Sequence, residues 1–196
     1  MFDLTIDPYL HFDRLLKEAI EKQIPEANAM SVATVDDRGI PSVRIVYMKD
    51  RTPEGFVFFG NYHSHKGLDI EDNPNVCLNF YWPAIWQQVR VTGMAVKVNP
   101  EESDAYWKTR ARLSQIGAWA SNQSEEIPDY NHLARRVQEY EKQFEGQPVP
   151  RPPHWGGWLV VPTEIEFWFG HNGRLHERFV YQRTEEGTWK TFMRSP

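Results

Sequence analysis

Apolar and polar positions change their period several times along the chain, and each change marks an element. Asp7-Pro8 forms a helix start, and Leu10, Leu15, Leu16, Ala19 and Ile20 roughly share one face before Pro25 ends the pattern. The spacing predicts an amphipathic helix. Ser31–Val35 and Ser42–Lys49 are β-rich runs joined by the polar turn Asp36-Asp37-Arg38-Gly39, which predicts a hairpin. Phe56–Phe59 continues the sheet, Ser64–Glu71 reads as a short helix closed by Asn73-Pro74, and Val76–Tyr81 and Gln88–Val98 are further strands. A helical stretch then runs with interruptions from Glu101 to Trp119. Tyr130–Phe144 is a charged helix ending before Gly146, and Pro148–Pro153 is a connector. Trp158–Val161, Glu164–Phe169, Leu175–Gln182 and Trp189–Phe192 read as closing strands.

Many strands with short turns and late helices predict a mainly β fold with inserted helices, an antiparallel barrel rather than a parallel sheet with crossover helices. Residues 1–196 read as a single domain, with no internal repeat. No glycine-rich loop joins a strand to a helix, so the pattern gives no support to a dinucleotide-binding or P-loop site.

Charge changes this picture only locally. The net charge of -5 argues against a general nucleic-acid binder, which needs a basic face to replace phosphate counterions. Cys77 is the only cysteine, so no intrachain disulfide forms and no cysteine cluster holds a metal. The seven histidines lack a zinc-enzyme spacing, and no metal is expected. The acidic N-terminus lacks the features of a secretory signal, and no apolar run reaches membrane-spanning length. A cytoplasmic protein without a membrane partner is the expectation.

Candidate chemistry gathers in a few places. If Arg174-Leu175-His176-Glu177-Arg178 is a strand, Arg174, His176 and Arg178 share one face. That row fits either a solvated exterior screened by Glu177 or a face for an anionic partner. On the preceding strand Ile165, Phe167 and Phe169 make the core face and Trp168 lies opposite, suited to a planar ligand or to a subunit interface. Tyr106, Arg110 and Ser114 are four apart, so a continuous helix would align them as a phosphate grip or as ordinary surface. Arg44 and Lys49 are five apart, which on a regular strand sends them to opposite faces unless a bulge intervenes. Gln87-Gln88 and Ser121-Asn122-Gln123-Ser124 add amides and hydroxyls. No nucleophile–base arrangement stands out, so catalysis would belong to a cofactor.

Four segments carry a resemblance: Arg44-Ile45-Val46-Tyr47-Met48-Lys49, Ser114-Gln115-Ile116-Gly117-Ala118-Trp119, Pro153-His154-Trp155-Gly156-Gly157, and Ile165-Glu166-Phe167-Trp168 with Arg174-Leu175-His176-Glu177-Arg178. In this order they resemble the pyridoxine/pyridoxamine 5′-phosphate oxidase family. The resemblance implies an FMN-binding split β-barrel, homodimeric, with sites at the interface built from both subunits. It implies FMN contacts from Arg44, Ile45, Val46, Tyr47, Met48, Lys49, Phe59, Gly60, His65, Lys66, Gln88, Gln123, Ser124, Trp168 and Arg178. It also implies Lys49, Tyr106, Arg110 and Ser114 around a substrate phosphate, with Arg174 and His176 as catalytic-site residues orienting the pyridine ring.

The implied reaction oxidises pyridoxine or pyridoxamine 5′-phosphate to pyridoxal 5′-phosphate, with O₂ as acceptor and H₂O₂ as product. His65 replaces the arginine usual in the family, Gly60 a hydroxyl residue, and Phe169 a glutamine, histidine or glycine. Met193-Arg194-Ser195-Pro196 replaces the usual Arg-Leu-x-Pro ending. The rival readings are a flavin oxidase of the phenazine-biosynthesis type and a non-catalytic FMN- or pyridoxal-phosphate-binding protein.

Overall fold

The computed structural model describes residues 2–196. Helix α1 (Pro8–Glu21) starts where Asp7 accepts a hydrogen bond from the Tyr9 amide at 2.8 Å and Pro8 fixes the first turn. Its buried face is Tyr9, Phe12, Leu15 and Ala19, whereas Leu10 and Ile20 are exposed, contrary to the predicted stripe. The aromatic residues decide the rotation, because Phe12 meets both Phe56 and Phe80 edge-on with ring centres 4.9 Å apart.

Strands β1 (Ala29–Val35) and β2 (Pro41–Tyr47) form the expected hairpin, and β3 (Asp50–Arg51) and β4 (Phe56–Asn61) form a second. Helix α2 (His65–Asp72) begins at the cap Ser64 and leads into β5 (Asn75–Trp82) and β6 (Gln87–Lys97). Helices α3 (Pro100–Thr109), α4 (Arg112–Ala120) and α5 (Tyr130–Gln143) precede β7 (Trp155–Phe169), β8 (Glu177–Arg183) and β9 (Trp189–Met193). The sheet runs β2-β1-β5-β6-β7-β4-β3, with β8 attached to β7 and β9 to β8.

β7 explains the curl. One edge pairs with β6 along its length, while the other pairs with β4 through Trp155–Val160 and with β8 through Glu164–Phe169. The two closing strands expected at Trp158–Val161 and Glu164–Phe169 are therefore one strand. Pro162 and Thr163 sit at a register shift opposite Thr92/Gly93, where a bulge tolerates the proline and bends the strand. Gly93 is needed there, since a Cβ would lie 2.3 Å from the Val161 carbonyl oxygen. The inward residues Phe58, Leu78, Phe80, Val89, Val91, Val160, Ile165 and Phe167 form the fully buried core. A second cluster of Trp107, Ile116, Phe144, Val149 and Trp155 fastens the helices to the start of β7. No helix among the described residues is long and apolar enough to cross a membrane.

Candidate functional site

Where β2, β4, the start of α2 and the α3–α4 junction meet, a cavity of about 790 Å³ opens. It falls within the size range of small-molecule and cofactor sites. Arg44, Ile45, Val46, Tyr47 and Lys49 line it from β2 and the following bend. Arg44 and Lys49 share the cavity because β2 ends at Tyr47. The Met48 amide then donates to Asn28 O at 2.9 Å and the Lys49 amide to Val57 O at 2.8 Å, carrying the chain from one partner strand to another. Met48 itself is buried in the core, so its side chain does not line the cavity.

Phe59 and Gly60 come from β4, His65 and Lys66 from α2, and Gln123 and Ser124 from the loop after α4. Lys66 Nζ donates to Ser64 Oγ at 3.0 Å and to Gln123 Oε1 at 2.7 Å. Tyr106, Arg110 and Ser114 also line the cavity, though not along a continuous helix. Arg110 has extended ψ of 141° between α3 and α4, and its Nη2 donates to the Ser114 carbonyl at 3.1 Å. Tyr106 stacks on Phe59 with ring centres 4.1 Å apart.

Among the described residues the lining holds Arg44, Lys49, His65, Lys66 and Arg110 and no carboxylate. Burial, and then the Arg44 charge, push the Lys66 ammonium down to about 8. Burial also lowers Arg44, against the opposing pull of Asp69, and lowers Arg110. Arg110 Nε is buried without a hydrogen-bond partner among the described residues. Cationic donors held against their own desolvation suit a phosphate-bearing ligand, so the donor set fits FMN and a phosphorylated substrate.

The remaining sequence candidates gather elsewhere on this chain. Gln88, Trp168 and Arg178 are cross-strand neighbours on β6, β7 and β8. His176 lies against Trp168 with ring centres 4.6 Å apart. The expected one-face row of Arg174, His176 and Arg178 does not form, because β8 starts at Glu177. Asn172–Arg174 is a short turn with positive φ at Gly173 (69°) and Arg174 (62°), and the His171 amide donates to His176 Nδ1 at 3.1 Å. Arg174 is exposed on that turn.

Sequence reasoning missed several contributors. Thr109 and Ala111 line the cavity, and Trp155 lies under the Arg110 guanidinium. Asp69 is buried behind Arg44 and His65, and its signal was the i, i+4 spacing from His65. Glu166 is buried beneath Arg178, accepting from its Nη2 at 2.8 Å, from Arg90 Nη2 at 3.1 Å and from Arg194 Nη1 at 2.8 Å. Its alternation with Trp168 on β7 marked it as outside the main core.

Residues 16–144 match the family described as "Pyridoxamine 5'-phosphate oxidase", and residues 155–196 match the "Pyridoxine 5'-phosphate oxidase C-terminal dimerisation region". The chain is 74% identical, over 100% of both chains, to a pyridoxine/pyridoxamine 5′-phosphate oxidase of Bdellovibrio bacteriovorus. It is 47% identical to the enzyme of that name from Nostoc punctiforme, covering 99% of this chain and 91% of the relative. Among solved structures, PhzG from Burkholderia lata, in complex with tetrahydrophenazine-1-carboxylic acid, superposes with a TM-score of 0.91 at 29% identity, covering 97% of this chain and 93% of that one. An FMN-binding protein of Nostoc punctiforme shares the fold, with a TM-score of 0.78 at 15% identity and coverage of 97% and 99%. With the matched regions spanning both the cavity and the closing strands, the chain belongs to the pyridoxine/pyridoxamine 5′-phosphate oxidase family of enzymes.

Proposed function

We propose that this enzyme uses FMN to oxidise pyridoxine or pyridoxamine 5′-phosphate to pyridoxal 5′-phosphate, with O₂ as acceptor and H₂O₂ as product. The observation that carries the reading is the cavity lined by Arg44, Lys49, His65, Lys66 and Arg110 and, among the described residues, by no carboxylate. A cofactor phosphate and a substrate phosphate would together use such a concentration of positive charge. Arg44, His65 and Lys66, with Gln123 and Ser124, would hold the phosphate of FMN. Lys49, Tyr106, Arg110 and Ser114 would hold that of the substrate.

FMN, when bound, supplies the redox chemistry by taking a hydride from the substrate and passing the electrons to O₂. The chain's own task is positioning: fixing the substrate phosphate leaves little freedom for the ring. Arg174 and His176 would orient that ring. His176 lies against Trp168, beside Gln88 and Arg178, and Arg174 is exposed on the turn that precedes β8; in a homodimer this face would complete the cavity of the partner copy. The exposed apolar row Val43 (67%), Ile45 (63%) and Tyr47 (39%) on the sheet-edge strand β2 supports such a dimer. A cytoplasmic setting goes with this reading, since Cys77 is unpaired.

Anaerobic mixing of the FMN-loaded protein with pyridoxine 5′-phosphate tests the reading. Bleaching of the oxidised-flavin absorbance, weak or absent with unphosphorylated pyridoxine, is expected. The likeness to PhzG supports a second reading, oxidation of a reduced phenazine. Bleaching by a dihydrophenazine carboxylate but not by pyridoxine 5′-phosphate would favour it.

A further inference from the structure

Two of the nitrogen donors lining the cavity, Arg44 and His65, lean on one buried carboxylate. Asp69 is 3% exposed and sits on α2 one turn after His65. Its Oδ1 is 3.4 Å from His65 Nε2. Its Oδ2 accepts a hydrogen bond from Thr34 Oγ1 at 2.5 Å and lies 3.8 Å from Arg44 Nη2. The Thr34 hydroxyl, fully buried on β1, in turn accepts from Arg44 Nη1 at 2.6 Å. Arg44 is further fixed by Ser42 Oγ, which accepts from its Nη2 at 2.7 Å.

From this geometry we infer that Asp69 is a positioning residue for anion binding, holding Arg44 and His65 in the orientation in which they meet the FMN phosphate. The inference rests on the proposed function. A buried carboxylate costs free energy unless charged partners and hydrogen bonds repay it. Here two of its three partners, Arg44 and His65, line the ligand cavity, so the carboxylate acts on the site from behind. Arginine and histidine side chains lose rotamer freedom on binding a ligand, and a partner that fixes them beforehand removes that cost from the binding step.

Simple electrostatics makes the opposite prediction. A negative charge behind an anion site repels the anion, so by Coulomb's law its removal strengthens binding. Positioning and repulsion therefore differ in sign for Asp69→Asn, which keeps the shape and removes the charge.

The experiment titrates FMN and riboflavin, separately, into the flavin-free wild-type protein and the Asp69→Asn variant, following flavin fluorescence, with circular dichroism as the fold control. The expected result is an FMN Kd raised about ten-fold, as outer partners of binding groups contribute, with the riboflavin Kd unchanged. General loosening of the structure would weaken both flavins alike. Unchanged or tighter FMN binding in Asp69→Asn would overturn the inference while leaving the proposed function intact. Equal wild-type affinity for FMN and riboflavin would remove the phosphate site, and with it both readings. If Asp69→Asn does not fold, Thr34→Val cuts the link between Asp69 and Arg44 with little change of shape. It should weaken FMN binding about three-fold, and FMN affinity equal to wild type would overturn the inference.

Discussion

The guanidinium carbon of Arg110 lies 4.7 Å from the centre of the Trp155 ring, so a residue at the break between two helices is stacked on the first residue of β7. Its Nη2 donates to the Ser114 carbonyl, and its buried Nε has no partner among the described residues. Stacking on an indole fixes the plane of a guanidinium. Arg110 is thereby ready to donate into the cavity.

Replacing Arg110 by alanine should raise KM for pyridoxine 5′-phosphate much more than it lowers kcat. Loss of one charge-assisted phosphate contact costs about 1.5–3 kcal/mol, which corresponds to roughly ten- to hundred-fold in KM. Steady-state kinetics at saturating O₂ would measure it. An unchanged KM would remove Arg110 from the substrate site.

Gly60→Ala should weaken FMN binding modestly. The added Cβ would lie 3.1 Å from Lys66 Cε and 3.4 Å from Nζ, so the lysine must shift away from its bonds to Ser64 and Gln123. An off-rotamer adjustment of this kind costs about 0.5–1.5 kcal/mol, which corresponds to roughly two- to ten-fold in Kd. FMN titration would detect it, and wild-type affinity in the variant would show that Lys66 does not need its present position.

FMN affinity should fall as pH rises above about 8. The Lys66 ammonium is lowered to about 8 from an ordinary 10.5, chiefly by burial and secondarily by Arg44. A phosphate dianion favours the protonated lysine, so binding takes up a proton once the free protein has lost it. The phosphate itself is already doubly charged in that range, with a second pKa of about 6. Lys66→Arg should flatten the profile between pH 7.5 and 9.5, because a guanidinium stays charged there. Identical profiles for the two proteins would contradict the assignment of Lys66.

The same depression has a consequence for the ligand-free protein. Between about 8 and 10.5 the unfolded chain keeps a proton that the folded one has lost, so the Lys66 contribution makes stability rise with pH through that window. Lys66→Met should lack this rise in thermal unfolding, and parallel wild-type and variant curves would argue against it.

Glu166→Gln should destabilise the β7–β8 region. Its carboxylate accepts from Arg90, Arg178 and Arg194, and hydrogen bonds to Glu164 and Glu166 raise the Arg194 guanidinium above its ordinary value. Breaking a buried ion pair costs about 3–5 kcal/mol, and the partly exposed arginines here, 21–35% accessible, place the loss at about 3 kcal/mol. At roughly 2–4 °C per kcal/mol for a chain of this size, Tm should fall by about 6–12 °C. A shift under about 2 °C would show that the network contributes little.

Much of this was legible in the sequence, for identifiable reasons. Alternation marked Ile165 and Phe167 as core, and the polar turn before Ile40 marked the hairpin. Pro162 read as a strand break because a bulge opposite Gly93 exists only once β6 is paired beside it. Arg44 and Lys49 share the cavity because the chain changes partner strands at Met48, which strand period cannot express. Tyr106, Arg110 and Ser114 were singled out by helical spacing, yet they meet around a helix break. Nothing local in the sequence marks Asp69 or Glu166 as buried, since their burial depends on residues distant in the chain.

Mixing the FMN-loaded protein with pyridoxine 5′-phosphate in aerated buffer, and following aldehyde and peroxide together, tests the assignment most directly. Pyridoxal 5′-phosphate and H₂O₂ should accumulate in equal amounts over many turnovers. Unphosphorylated pyridoxine should react far more slowly at the same concentration. No aldehyde, or a rate indifferent to the phosphate, would contradict an FMN oxidase that grips its substrate through Lys49, Tyr106, Arg110 and Ser114.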